Sequence, residues 1–245
     1  MKRVLTVLLS AALLCGTFAF GASAEEPLVS TKGLACFWQT VTLTDPLYGT
    51  SVYDYHKAIA FGKEKLPLIV YYHGMLPSWQ SDDWAGKFQM IPIQLAMAMR
   101  AKRCHILAAH VEDDTSWESD GETEAAGRAI EWAAAQGNVD LNRVYIVGYS
   151  MGGRSIEAQT AAYPDRYAAA LHFDTVSADS YERSIPHHIA YPRAGGIWSA
   201  DDVRRLQAQG LDVTATEVAA GGHNTIILLA PFYAGWVKWL FAQTK

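Results

Sequence analysis

A serine between glycines, Gly148-Tyr149-Ser150-Met151-Gly152, is the stretch of this chain best suited to nucleophilic chemistry. It directly follows the apolar run Val144-Tyr145-Ile146-Val147 and leads into a helical stretch, Gly153 to Ala162. That context makes it a sharp strand-to-helix turn, which holds a serine in a strained backbone conformation and aims its hydroxyl above the sheet edge. A glycine-rich turn before an ordinary helix is the plainer reading, and the strand and helix on either side weigh against it. A serine hydroxyl is a weak nucleophile until a base takes its proton. Gly221-Gly222-His223-Asn224 offers that base, after the last strand and before the final helix. The other histidines fit less well. His187 and His188 are adjacent in a strand, so they point to opposite faces and do not share a metal, while His105 starts a strand and His172 lies within one. The oxyanion of such a reaction needs two N–H donors. The expected pair is Met151, directly after the nucleophile, and Met75, in the loop that begins His73-Gly74, where the glycine lets the backbone bend inward. His73 itself is expected to organise that loop rather than to transfer protons. Chemistry of this kind calls for no metal and no organic cofactor.

These residues have to be carried by alternating elements. Ala35 to Leu43 and Ser51 to Phe61 read as two early strands separated by turn signals at Asp45-Pro46 and Gly49. Leu68-Ile69-Val70-Tyr71-Tyr72 is a continuous apolar run, as expected of a strand buried on both faces. Phe88, Ile91, Leu95 and Met99 recur at helical spacing. Strand Ile106 to His110, helix Thr123 to Gln136 with Glu122 and Glu124 near its positive end, and strand Arg143 to Val147 follow. Beyond the serine come strand Tyr167 to Phe173, a further strand, helix and strand through Val218, and a closing amphipathic helix with Trp236, Trp239 and Leu240. This alternation predicts an α/β fold, a mostly parallel central sheet with helices on both faces.

In that order, strand–His73-Gly74, strand–Gly148-Tyr149-Ser150-Met151-Gly152-Gly153 and Gly222-His223, the chain resembles secreted esterases of the α/β-hydrolase superfamily. The resemblance points toward the polyhydroxybutyrate-depolymerase and feruloyl-esterase group or the dienelactone-hydrolase-like esterases, and runs from about Ser51 to the end. It implies a serine carboxylesterase with a catalytic triad, acting on a small-molecule or polymer-attached ester, and the short connection from Asp174 to the next strand near Pro186 leaves no room for a large lid domain. It also exposes a departure. Similar proteins place the triad acid in a G-x-x-D turn, and the matching stretch here, Pro192-Arg193-Ala194-Gly195, has no carboxylate. Asp174, one strand earlier, is the favoured replacement, with Asp201 or Asp202 at the start of the next helix as alternatives. Helix capping is the ordinary role of that last pair. A serine peptidase or amidase would carry the same triad, and a non-catalytic binding protein on this scaffold is the rival suggested by the missing acid.

Composition bounds the remaining possibilities. The chain has 245 residues, half of them hydrophobic, enough for one domain with a sizeable core. Its net charge is −5 and no basic stripe is visible, which gives no electrostatic case for nucleic acid or an anionic membrane surface. Lys2 and Arg3, the apolar run Val4 to Phe20 and Ala22-Ser23-Ala24 read as a signal peptide over residues 1–24, cleaved after Ala24. The expected product is a secreted or periplasmic protein, a single domain over residues 25–245. Cys36 and Cys104 are free to pair or to stay apart in such a compartment. Trp79, Trp84 and Trp117 lie on loops near the sheet edge, either packing there or lining a substrate pocket. The oligomeric state stays open.

Overall fold

The computed structural model describes residues 28–33, 38–75, 92–100, 102–111, 116–176 and 184–245. The expected signal peptide, Cys36, Trp79, Trp84, Phe88 and Ile91 lie outside the described residues. Nine strands form one sheet. They are β1 (Leu28–Gly33), β2 (Trp38–Asp45), β3 (Gly49–His56), β4 (Leu66–Tyr72), β5 (His105–His110), β6 (Val139–Tyr149), β7 (Ala169–Phe173), β8 (His187–Pro192) and β9 (Val213–Val218). Across the sheet the order is β1-β2-β3-β5-β4-β6-β7-β8-β9. The first three strands form an antiparallel meander that joins β5 antiparallel, and β4 to β9 run parallel to one another.

Side-chain alternation along the parallel strands decides what each face holds. Leu68, Val70 and Tyr72 of β4 point to one face, where they meet Ala125, Ala129 and Ala133 of α2 (Asp120–Ala135) and Ile156 of α3 (Gly152–Ala162). Ile69 and Tyr71 point to the other, against Ile93 and Met97 of α1 (residues 92–99) and Trp236, Val237 and Leu240 of α5 (Gly235–Leu240). The helix α4 (Ala200–Ala208) covers β8 and β9 through Val203 and Leu206, which pack on Ile189 and Val213. A sheet buried on both faces explains why β4 reads as unbroken apolar sequence. Residues 174–186 join β7 to β8, far too short a connection for an inserted lid domain. No helix among the described residues is long and apolar enough to cross a membrane.

Three details differ from the expectations. The strand expected over Ser51 to Phe61 ends at His56, because its partner β5 begins only at His105 and the last pair is His56 with Ile106. Ile59 and Phe61, beyond that pair, are exposed. On α1 the buried residues are Pro92, Ile93, Ala96 and Met97, while Leu95 and Met99 face outward. The spacing counted from Phe88 and Ile91 does not carry through into the helix that Pro92 opens. Finally β1, unforeseen from the sequence, pairs along its whole length with β2 as an edge strand.

Candidate active site

Ser150, at the end of β6, has a φ of +50°, in the left-handed region that non-glycine residues rarely occupy. The strain is over-determined by its surroundings. Its N–H donates to the Phe173 carbonyl (3.3 Å), and its own carbonyl accepts from Gly153 (3.1 Å) and Val176 (2.8 Å). The turn is tight because α3 starts against the end of β4. A Cβ on Gly152 would lie 2.2 Å from the Tyr72 carbonyl oxygen, a clash with backbone that cannot yield.

His223 opens a short 3-10 turn after β9, anchored where its N–H donates to the Gly195 carbonyl at 2.9 Å. Its Nε2 lies 2.9 Å from Ser150 Oγ, and its Nδ1 lies 2.7 Å from Asp174 Oδ2. Those distances place Nδ1–H as donor to the carboxylate and leave Nε2 as acceptor for the hydroxyl. Tyr149 frames the imidazole, with its ring stacked at 5.4 Å and its hydroxyl donating to the His223 carbonyl at 3.1 Å. Burial pushes that phenol up to about 12, so it stays a neutral donor.

Asp174 directly follows β7, is fully buried and, like Ser150, has a positive φ, +44°. Its Oδ1 accepts from the backbone N–H groups of Ile197 (3.0 Å) and Trp198 (3.1 Å), and Ile197 also reaches Oδ2 at 3.1 Å. The Trp198 indole donates to the carbonyl of neighbouring Thr175 at 2.8 Å. The stretch after β8 that lacks a carboxylate of its own therefore supplies the donors that hold Asp174, together with the carbonyl that holds His223. Asp201 and Asp202 do not reach His223. Asp202 forms a capping box with Ser199 at the start of α4, and exposed Asp201 pairs with Arg204.

The loop after β4 is tied down by His73, which is fully buried. Its Nδ1 donates to the Gly74 carbonyl at 2.7 Å and its Nε2 accepts from Val111 N–H at 3.2 Å, which fixes a neutral tautomer. With the Gly74 carbonyl held toward His73, a trans peptide turns the N–H of Met75 the opposite way. Gly74 runs so close to Ser150 that a Cβ there would sit 2.9 Å from Ser150 Cβ. Met151 is the N-cap of α3, and neither its N–H nor that of Met75 is committed to an acceptor among the described residues. Trp117 is buried, its indole donating to the His73 carbonyl at 3.1 Å, so it braces the loop and does not line an open pocket.

Other groups singled out from sequence lie apart from this cluster. His187 contacts His172 (3.1 Å), whereas His188 faces the other way, toward Thr214 and Thr216. Burial drives His172 well below the usual histidine range and His188 down to about 4. Among the described residues no group of three or more His, Cys, Asp or Glu side chains is placed to hold a metal ion. Cys104 is a buried free thiol whose Sγ donates to Met97 Sδ at 3.3 Å. The parts of the site that sequence reading missed are Tyr149 as a frame for His223, and Ile197 and Trp198 as donors to Asp174.

No protein-family model and no curated protein matches the sequence. Solved structures do resemble it. A thermostable esterase aligns with a TM-score of 0.66 and 22% identity over 91% of this chain and 64% of the other, so the chain spans less than two thirds of that protein's length. A ferulic acid esterase aligns with a TM-score of 0.60 and 16% identity, covering 88% of this chain and 99% of the other. S-formylglutathione hydrolase from Staphylococcus aureus, as apoenzyme, aligns with a TM-score of 0.62 and 11% identity, covering 83% and 98%. Strand order, the elbow at Ser150 and these alignments together give the chain the α/β-hydrolase fold.

Proposed function

We propose that this chain is an exported serine hydrolase that cleaves carboxylic esters through an acyl-enzyme on Ser150. The observation that carries the reading is the unbroken hydrogen-bonded line from Ser150 Oγ through both nitrogens of His223 to Asp174. A binding protein on this scaffold would have no need of a strained serine aligned with an imidazole and a buried carboxylate. Two of the structural neighbours are esterases by name, which favours esters over amides.

In the reaction, Ser150 Oγ bonds to the ester carbonyl carbon while its proton passes to His223 Nε2. The N–H groups of Met75 and Met151 hold the oxyanion. Asp174 keeps Nδ1–H oriented and stabilises the imidazolium. Collapse of the intermediate breaks the bond to the alcohol, which leaves with the proton from Nε2. Water then attacks the acyl-enzyme as His223 takes its proton, and that proton returns to Ser150 Oγ as the carboxylic acid departs. The ester is a small molecule or one attached to a polymer. Export rests on the basic start, the apolar run and Ala22-Ser23-Ala24, and predicts an exported protein whose amino terminus is Glu25 by mass spectrometry.

The test is hydrolysis of p-nitrophenyl acetate and butyrate by the wild type, Ser150→Ala and His223→Ala, with a fluorophosphonate probe run in parallel. The reading requires turnover and labelling in the wild type, and loss of both in Ser150→Ala. A wild type as inert as Ser150→Ala toward esters and fluorophosphonate would sink it.

A further inference from the structure

At the end of the sheet where the parallel strands begin, opposite the end that carries Ser150, the described residues line a cavity of about 640 Å³. It opens where β3 ends and β5 begins, beneath α1. Its volume falls within the range of small-molecule sites, about 300–1,000 Å³. Trp38, Ile59, Met97 and Ile106 give it apolar walls, and Lys57, Lys102 and Arg103 line it as well, with no carboxylate among the lining residues. Arg103 is already held by Glu64 at 2.6 Å. Lys57 spends one donor on the Gln136 carbonyl, and Lys102 lies 5.9 Å from the centre of the Phe241 ring. Neither lysine is paired with a carboxylate among the described residues. Ile59, which lines the cavity, is itself more than half exposed, so an apolar side chain stands open to a ligand at its wall.

Apolar walls beside Lys102, with no carboxylate among the lining residues, suit a single hydrocarbon chain ending in a negative head. We propose that this cavity binds a medium-chain fatty carboxylate, with its chain against Trp38, Ile59, Met97 and Ile106 and its head at Lys102. The site is separate from Ser150, and the inference does not rest on the esterase reading.

The experiment is isothermal titration calorimetry of dodecanoate, below its micelle concentration, into the wild type, Lys102→Glu and Ala98→Trp. Ala98 lines the cavity and is exposed, so tryptophan there fills the opening without disturbing the core. The expected result is one saturable site, weakened at least tenfold in Lys102→Glu and lost in Ala98→Trp. Dodecyltrimethylammonium should not bind, and both variants should keep the wild-type circular dichroism and melting temperature. Three results would overturn the proposal. The first is no saturable binding. The second is binding unchanged in both variants or equal for the cationic amphiphile, which places the ligand elsewhere. The third is a concentration-dependent dimer in sedimentation velocity that Ala98→Trp abolishes, which makes a second copy the occupant. Ester hydrolysis is measured separately, so an inert wild type in that assay leaves the calorimetry interpretable.

Discussion

Asp174, just past the end of β7, and Glu122, on a helix packed against the sheet, are two buried carboxyls whose surroundings differ in the kind of donor. Asp174 accepts from two backbone N–H groups and from Nδ1 of His223, a ring that can become a cation. Glu122, on the first turn of α2, faces the hydroxyls of Tyr53 and of Tyr72 (2.9 Å). The amide of Gln159 in turn links Tyr72 to Tyr167. Burial, acting first, pushes Glu122 up to about 7, while it drives Tyr53 and Tyr72 well above the usual phenol range. The Glu122 network thus hydrogen-bonds a carboxyl to phenols and an amide and knits α2, β3, β4 and α3 together. The Asp174 cradle presents fixed dipoles to a carboxylate whose Oδ2 also meets Nδ1 of His223. Burial is common to both carboxyls. The donors differ, hydroxyls around one and backbone N–H groups with an imidazole around the other, and the proposed function makes the second the partner of a base.

Removing the charge from each should separate those roles. Asp174→Asn places an amide against Nδ1 and favours the wrong imidazole tautomer, so kcat toward p-nitrophenyl butyrate should fall about ten-thousandfold with little change in KM. A loss below about tenfold would assign Asp174 to folding alone. Glu122→Gln should instead act on stability. Since the folded value near 7 lies above the ordinary 4.5, Glu122 stabilises the fold at low pH, and that contribution is lost as the pH rises through about 7. The variant should therefore gain on the wild type between pH 5 and pH 8, by on the order of 3 kcal/mol in urea unfolding, with kcat nearly unchanged. The difference between the two proteins is the quantity to follow. His172, held neutral by burial, destabilises both of them as the pH falls below 6.5. Tyr149→Phe tests the frame of the base more gently. It keeps the stacked ring and deletes the bond to the His223 carbonyl, so kcat/KM should drop about five- to tenfold, the worth of one hydrogen bond.

How far each residue was legible follows from how local its constraint is. Ser150 was readable because the elbow's demands, an apolar strand, small neighbours and a helix start, fall within a dozen consecutive positions. His223 could be chosen by its place after the last strand. Asp174 could be named only as one choice among three, because what selects it is a pair of backbone N–H groups at Ile197 and Trp198, and peptide groups leave no mark in sequence. The same holds for the sheet. The unbroken apolar run of β4 announced a strand buried on both faces, while the end of β3 depended on where a distant partner begins. Glu122 read as a helix-end charge and proved to be turned inward, since its phenol partners come from strands far off in the chain.

The two rejected acids complete the comparison with the smallest effect. Asp201 and Asp202 were the alternatives at the start of the next helix, and in the structure they serve α4. Asp202 accepts from the N–H of Ser199 at 3.0 Å and Asp201 pairs with Arg204 in solvent. Asp201→Asn and Asp202→Asn should each leave kcat and KM within twofold of the wild type. Asp202→Ala should lower stability by about 1 kcal/mol through the lost capping box, whereas Asp201→Ala should change it by less than about 0.5 kcal/mol, as exposed ion pairs do. If Asp202→Asn cut kcat as deeply as Asp174→Asn while the melting temperature held, the acid would have to reach His223 in a conformation other than this one. The N–H cradle around Asp174 would then be a structural knot like the one around Glu122.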